Sequence, residues 1–210
     1  QLVAGEWRDL AKRMEAGVIK LTLTRGVGQR GYAIPAPARA VRIQQCFPPA
    51  SYPAERTQAG IRLFPCVTRL ARQPLLAGIK HLNRLEQVLA RSEWADPQYA
   101  EGLVCDTQGL PIECTMSNLF VRVDGKWLTP ALTQCGVRGV MREYLLDQLR
   151  AQGEQVEEAE MDYPMLTRAS ELFCCNSLYG IWPIVALEQH AWPVGPHTEY
   201  AQTLVEQVMK

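Results

Sequence analysis

The chain has 210 residues, 47% of them hydrophobic and 21% charged, which supplies enough apolar material for a real core. Basic and acidic residues balance at 22 each, so no overall field draws the protein to nucleic acid or to an anionic membrane. The longest apolar stretch, around Tyr179 to Leu187, contains Gly180 and Pro183 and is too short to cross a bilayer; no signal-peptide pattern opens the chain. Seven cysteines without CxxC spacing read as reduced thiols of a cytoplasmic protein.

The chain opens on Gln1-Leu2-Val3, close to a helix start and without an initiator Met, which leads to the expectation that residues upstream are missing. Leu2, Val3, Trp7, Leu10 and Met14 sit at helical spacing, with Gly17 as a cap. Val18 to Arg25 alternates as a strand, Gly26 to Gly31 makes a loop or hairpin turn, and Arg39 to Phe47 forms a second strand stopped by Pro48-Pro49. A third strand is expected over Ile61 to Val67, and Arg69 to Gly78, with Pro74, is expected to be a loop. Leu82, Leu85, Val88 and Leu89 share one face of the helix that follows.

Short strands are then expected at Leu103–Thr107, Ile112–Thr115, Leu119–Val123 and Lys126–Thr129, with turns at Gln108-Gly109 and Asp124-Gly125. A helix over Val140 to Gln152 ends at Gly153. Strands near Gln155–Met161, Leu172–Cys175 and Ile181–Leu187 precede a last helix near Thr198–Met209. Hairpins mixed with separate helices point to an α+β fold.

Four segments could carry chemistry. Lys80 lies among apolar neighbours at a junction of loop and helix, where burial would keep its amine neutral for imine formation; alone, it reads more readily as a lysine starting a surface helix. Glu113 lies in an expected strand, where a buried carboxylate must find a cation or a strong donor, or else faces solvent. Gly136-Val137-Arg138-Gly139-Val140-Met141-Arg142 is a glycine-bearing loop entering a helix, and free N–H groups there suit a phosphate. Cys175-Asn176-Ser177 ends a strand with side-chain donors, or is plain turn chemistry. His81, His190 and His197 show no metal spacing, and no serine sits in a GxSxG elbow.

Taken in order, these pieces resemble the fold-type IV pyridoxal-phosphate family, which includes branched-chain and D-amino-acid aminotransferases and aminodeoxychorismate lyases. The run Gly78-Ile79-Lys80-His81-Leu82-Asn83-Arg84-Leu85-Glu86-Gln87-Val88-Leu89 is similar to the Schiff-base segment of the lyases. The likeness continues through Glu113-Cys114 with Ser117-Asn118-Leu119-Phe120, Thr129-Pro130, Gly136 to Arg142 and Cys175-Asn176-Ser177-Leu178; upstream it includes Thr24-Arg25-Gly26 and Gly28 to Tyr32.

The resemblance implies a pyridoxal 5'-phosphate cofactor bonded by Lys80, with Glu113 paired to the pyridine nitrogen. It places the phosphate at Gly139, Val140 and Met141 with Ser177, and gives substrate contacts to Arg30 and Asn176. It implies a small-molecule substrate, a homodimer, and conversion of 4-amino-4-deoxychorismate to 4-aminobenzoate and pyruvate in folate biosynthesis. An aminotransferase would use the same Lys80 and Glu113, and a non-catalytic cofactor-binding protein is the reading from another class. The expected fold is the α+β large domain of this family, with the N-terminal small domain, and a phosphate-contacting arginine in it, largely absent. Residues 1–50 would be the remnant of that domain, 51–79 the connection and the start of the large domain, and 80–210 the cofactor-binding part.

Overall fold

Period-two alternation makes each strand of this chain two-faced, and the computed structural model shows what each face meets. It describes residues 2–209, with side chains from Gly5 onward, so Gln1 and the side chains of Leu2 and Val3 lie outside the described residues. The chain divides into two units, one ending at Ser51 and one running from Tyr52.

In the first unit, α1 (Leu2–Ala11) is followed by β1 (Val18–Thr24) and β2 (Val41–Phe47), paired antiparallel from Val18↔Phe47 to Thr24↔Val41. Glu6 of α1 accepts hydrogen bonds from Arg42 (2.7 Å) and Gln44 (3.1 Å), which ties the helix to β2. One expectation is corrected here. The helix ends at Ala11, so Gly17 does not cap it; a Cβ at Gly17 would stand 2.6 Å from the Phe47 carbonyl, and glycine permits that close pairing. Of the loop and the hairpin turn expected after β1, the chain forms the loop, and the link between the strands spans residues 25–40.

The second unit holds α2 (Glu55–Gln58), β3 (Ile61–Leu70), α3 (Leu85–Arg91), β4 (Tyr99–Asp106), β5 (Pro111–Cys114), β6 (Asn118–Val123) and β7 (Lys126–Pro130). It continues with α4 (Val140–Ala151), β8 (Val156–Ala159), α5 (Tyr163–Thr167), β9 (Glu171–Asn176), β10 (Gly180–Leu187), β11 (His190–Ala191) and α6 (Pro196–Glu206). The strand order runs β11-β10-β3-β4-β5-β6-β7-β8, and β9 pairs with both β6 and β10. That double pairing closes β10-β3-β4-β5-β6-β9 into a ring, which leaves those strands no free edge. The α+β expectation holds.

One cluster fills the ring with alternate residues of its strands, among them Leu63, Leu103, Cys114, Leu119, Val121, Cys174 and Trp182. The residues between them, Phe120, Phe173 and Cys175, pack outward on Met141, Leu145 and Leu149 of α4 and on Leu204 of α6. Strands covered on both faces carry near-continuous apolar runs, as β6 and β9 do. The turn at Asp124-Gly125 has φ of +50° and +81°, the twist a two-residue hairpin needs.

The expected helix after Lys80 is shorter and differently used. α3 starts at Leu85, so Lys80 and Leu82 precede it in irregular chain. Of its residues only Ala90 is buried, while Leu82, Leu85, Val88 and Leu89 are exposed, Leu85 by 70%. The short helices α2 and α5 were not expected from the pattern; Asp162 caps α5 by accepting from Met165 N–H at 2.9 Å.

Candidate active site

Register brings the distant motif residues together. Glu113 on β5 pairs with Asn118 on β6, and Asn118 pairs with Cys175 on β9, which leads directly into Asn176 and Ser177. The segment that carries Lys80 joins through an isolated parallel bridge between Gly78 and Val137. In that bridge Gly78 N–H donates to the Gly136 carbonyl (2.9 Å), and Arg138 N–H donates to the Gly78 carbonyl (3.1 Å). Gly78 and Gly136 have φ of +77° and +84°, the left-handed region that glycine enters without strain.

Glu113 is buried, at 4% exposure, so the solvated alternative is excluded. Its Oε2 accepts from Val137 N–H at 2.8 Å and its Oε1 from the Gln87 amide at 3.5 Å. Burial pushes the carboxyl up to about 7; the Val137 N–H, the nearby Arg84 charge, Gln87 and the Lys80 charge pull the other way. The Gln87 carbonyl oxygen and His81 Nδ1 are buried without hydrogen-bond partners. Both residues line a shallow cleft with Arg84, Cys135 and Gly136. Lys80 itself is exposed in this chain and not sunk among apolar side chains as its neighbours in sequence suggested.

Gly139 is the N-cap of α4 and offers no side chain to the first-turn N–H groups. Met141 packs into the core while Val140 is exposed. Behind the first turn, fully buried Arg142 donates to the Pro130 carbonyl (2.9 Å), Glu158 (2.9 Å) and Thr129 Oγ1 (3.3 Å), which pins the helix start to the end of β7.

Asn176 does turn chemistry: its Oδ1 accepts from Leu178 N–H (2.9 Å) and Tyr179 N–H (3.1 Å), and its amide donates to the Met116 carbonyl (3.3 Å). Ser177 is exposed at the tip of that turn. Beneath the adjoining β5–β6 turn, buried Glu101 accepts from Thr115, Ser117 (2.6 Å) and Met116 N–H (3.0 Å). Arg30 belongs to the first unit, in an exposed bend beyond β1.

Sequence reasoning passed over Gln87 and gave Asn118 no role, yet both touch the site. The signal for Asn118 was a lone amide at the head of the apolar run Leu119-Phe120-Val121. Gln87 left no comparable mark.

The donor set suits pyridoxal phosphate. Glu113 is a buried acid whose hydrogen-bond donors are neutral, so it can accept a protonated ring nitrogen. The uncapped start of α4 suits a phosphate, and the Lys80 segment is bonded to that same loop.

A closed ring with a lysine segment, a buried carboxylate and an uncapped helix start defines a class that the comparisons identify. Residues 3–187 match the Amino-transferase class IV family, and the chain belongs to it. It is 39% identical to an aminodeoxychorismate lyase of Vibrio harveyi over 195 residues, covering 90% of this chain and 71% of that one. It superposes on the crystal structure of 4-amino-4-deoxychorismate lyase from Pseudomonas aeruginosa with a TM-score of 0.96 and 46% identity, over 100% of this chain and 78% of that one. The branched-chain amino acid aminotransferase of Escherichia coli, at 23% identity and a TM-score of 0.80 over 97% of this chain and 69% of that one, shares the fold.

Proposed function

We propose that the chain is a pyridoxal-phosphate-dependent lyase that converts 4-amino-4-deoxychorismate to 4-aminobenzoate and pyruvate, a step of folate biosynthesis. The likeness to two lyases over nearly all of its length supports the reaction. The observation that carries the chemistry is the bonded join of the Lys80 segment, the buried Glu113 carboxylate and the start of α4 at residues 136–139.

Lys80 would hold the cofactor through its amine, Glu113 would pair with its ring nitrogen, and the α4 N–H groups of Val140 and Met141, entered through Gly139, would hold the phosphate with Ser177. When bound, the cofactor supplies an electron sink conjugated to the substrate nitrogen. The Lys80 amine would take the proton from the substrate ring carbon that bears the nitrogen. The bond from the neighbouring carbon to the enolpyruvyl oxygen then breaks, and protonation of the freed enol at its methylene carbon gives pyruvate. Aromatisation drives the step, so the protein mainly orients groups and supplies one base. Arg30 and Asn176 would contact substrate, including a carboxylate, to which a guanidinium fork is suited.

The domain assignment stays with this reading: residues 1–50 a remnant of the small domain, 51–79 the connection and the start of the large domain, 80–210 the cofactor-binding part. Exposed Leu82, Leu85, Val88 and Leu89 support a homodimer, since a second copy would cover an apolar surface otherwise left in water. Seven free cysteines support a reducing, cytoplasmic setting.

The test is incubation with 4-amino-4-deoxychorismate, following 4-aminobenzoate and pyruvate, beside incubation with D-alanine and 2-oxoglutarate. Equal formation of the first two products supports the lyase; amine transfer in the second tube alone overturns it in favour of an aminotransferase.

A further inference from the structure

Asn118 is a buried amide (6% exposed) at the head of a strand that is otherwise almost wholly apolar. Such a group is costly to bury unless both its donor and its acceptor are used. Here both are. Its Nδ2 donates to the Val137 carbonyl at 2.7 Å, and its Oδ1 accepts from Gly139 N–H at 3.2 Å. Directly across the strand pair, Glu113 accepts from Val137 N–H at 2.8 Å. One residue's N–H and C=O are thus held by two facing side chains.

We propose that Asn118 is a positioning residue that fixes the start of α4 relative to the Glu113 carboxylate, so that the phosphate and the ring of the cofactor are gripped at one set separation. The inference rests on the cofactor reading above and deepens it. The amide acts on Val137 and Gly139, immediately before α4, on the stretch that also bonds the Lys80 segment through Gly78. A displaced Val137 would therefore disturb three contacts to the cofactor together. The fit is close: a Cβ at Gly139 would lie 2.3 Å from Asn118 Oδ1, so a glycine there is what lets the amide reach the loop. Gly139 itself has φ −69° and ψ 144°, which alanine adopts freely, so a substitution at that position acts on Asn118 and not through backbone strain.

The bland alternative is an amide that only stabilises the fold. Pyridoxal phosphate and pyridoxal, which lacks the phosphate, separate the two. Both would be titrated into the cofactor-free chain by fluorescence quenching, for the original protein, Asn118→Ala, Gly139→Ala and the double variant. The expected result is that the ratio of the two affinities, the advantage conferred by phosphate, falls about tenfold or more in each single variant. The double variant should lose no more than Asn118→Ala, since the added methyl then has no oxygen to strike.

If affinity for both ligands drops by one common factor, Asn118 is merely structural and the proposal fails. It fails too if the two losses multiply, because the methyl at Gly139 would then be obstructing phosphate by itself. Should Asn118→Ala not fold, Asn118→Ser, which withdraws the amide from both Val137 and Gly139, takes its place in the same four-way comparison. An original protein that binds pyridoxal as tightly as pyridoxal phosphate refutes the cofactor cradle itself, an outcome visible before any variant is compared.

Discussion

Replacing Glu113 with glutamine tests the electrostatics of the site without the substrate. Burial raises the folded-state pKa of this carboxyl from 4.5 to about 7, whereas in the unfolded chain it titrates in the ordinary range. Between those two values the folded protein binds more protons than the unfolded one, so its contribution to stability falls as pH rises through the window and is fully lost above about 7. At about 1.4 kcal/mol per unit, the rise from 4.5 to about 7 corresponds to about 3 kcal/mol. Glu113→Gln keeps the shape and cannot ionise. Any cost of its misplaced amide is the same at every pH, and Glu101, also raised by burial, is present in both proteins and cancels. Urea unfolding of the cofactor-free proteins at pH 4 and pH 8 should therefore show the variant gaining about 3 kcal/mol on the original protein across that range. A stability difference that is flat with pH would mean that Glu113 ionises like a solvated carboxylate, and the reasoning about the ring nitrogen would lose its basis.

Borohydride treatment of the yellow holoprotein should fix the cofactor to a peptide containing Lys80, and Lys80→Ala should abolish turnover; a label on Lys20 or Lys126 refutes the assignment. Ser177→Ala should weaken cofactor affinity by about one to two decades, the loss of one hydrogen bond to a charged group, and unchanged affinity on titration would move the phosphate elsewhere. Arg142→Met should cost about 1–3 kcal/mol in urea unfolding because the Pro130 carbonyl and buried Thr129 lose their partner, while exposed Glu158 is taken up by water; a cost near zero would show that this network is dispensable. Leu85→Glu with Val88→Glu should reduce the mass seen in sedimentation equilibrium from that of two chains to that of one, and an unchanged dimer mass would place the interface on another face.

Much of the barrel was legible because its signals are local. Alternation marked the strands, Asp124-Gly125 marked a hairpin by the positive φ it adopts, and the 140s kept helical spacing with Leu145, Leu146 and Leu149 on the core. The helix ends were less so. Gly17 looked like a cap but serves strand pairing, because a glycine's usefulness depends on what approaches it and the sequence does not say what does. The apolar stripe from Leu82 to Leu89 has the spacing of a core helix and faces solvent in the single chain; periodicity reports that a surface needs covering and is silent on whether the same chain covers it.

The site was legible as a set of pieces and not as a mechanism for holding them together. Lys80, Glu113 and the 136–142 loop stand out because lysine, a strand carboxylate and paired glycines are unusual in their surroundings. What joins them is the backbone of Gly136 to Gly139, which offers carbonyls to Gly78 and Asn118 and N–H groups to Gly78, Glu113 and Asn118. Main-chain groups are the same at every position, so no residue type announces that role. Only the closing of the ring, which sets Glu113 opposite Asn118 and Asn118 opposite Cys175, turns those anonymous groups into the common support of the lysine segment, the carboxylate and the helix start. The same logic explains why Asn118 escaped a functional reading: its side chain acts on backbone atoms some twenty residues away, and a contact of that kind exists only once the strands have paired.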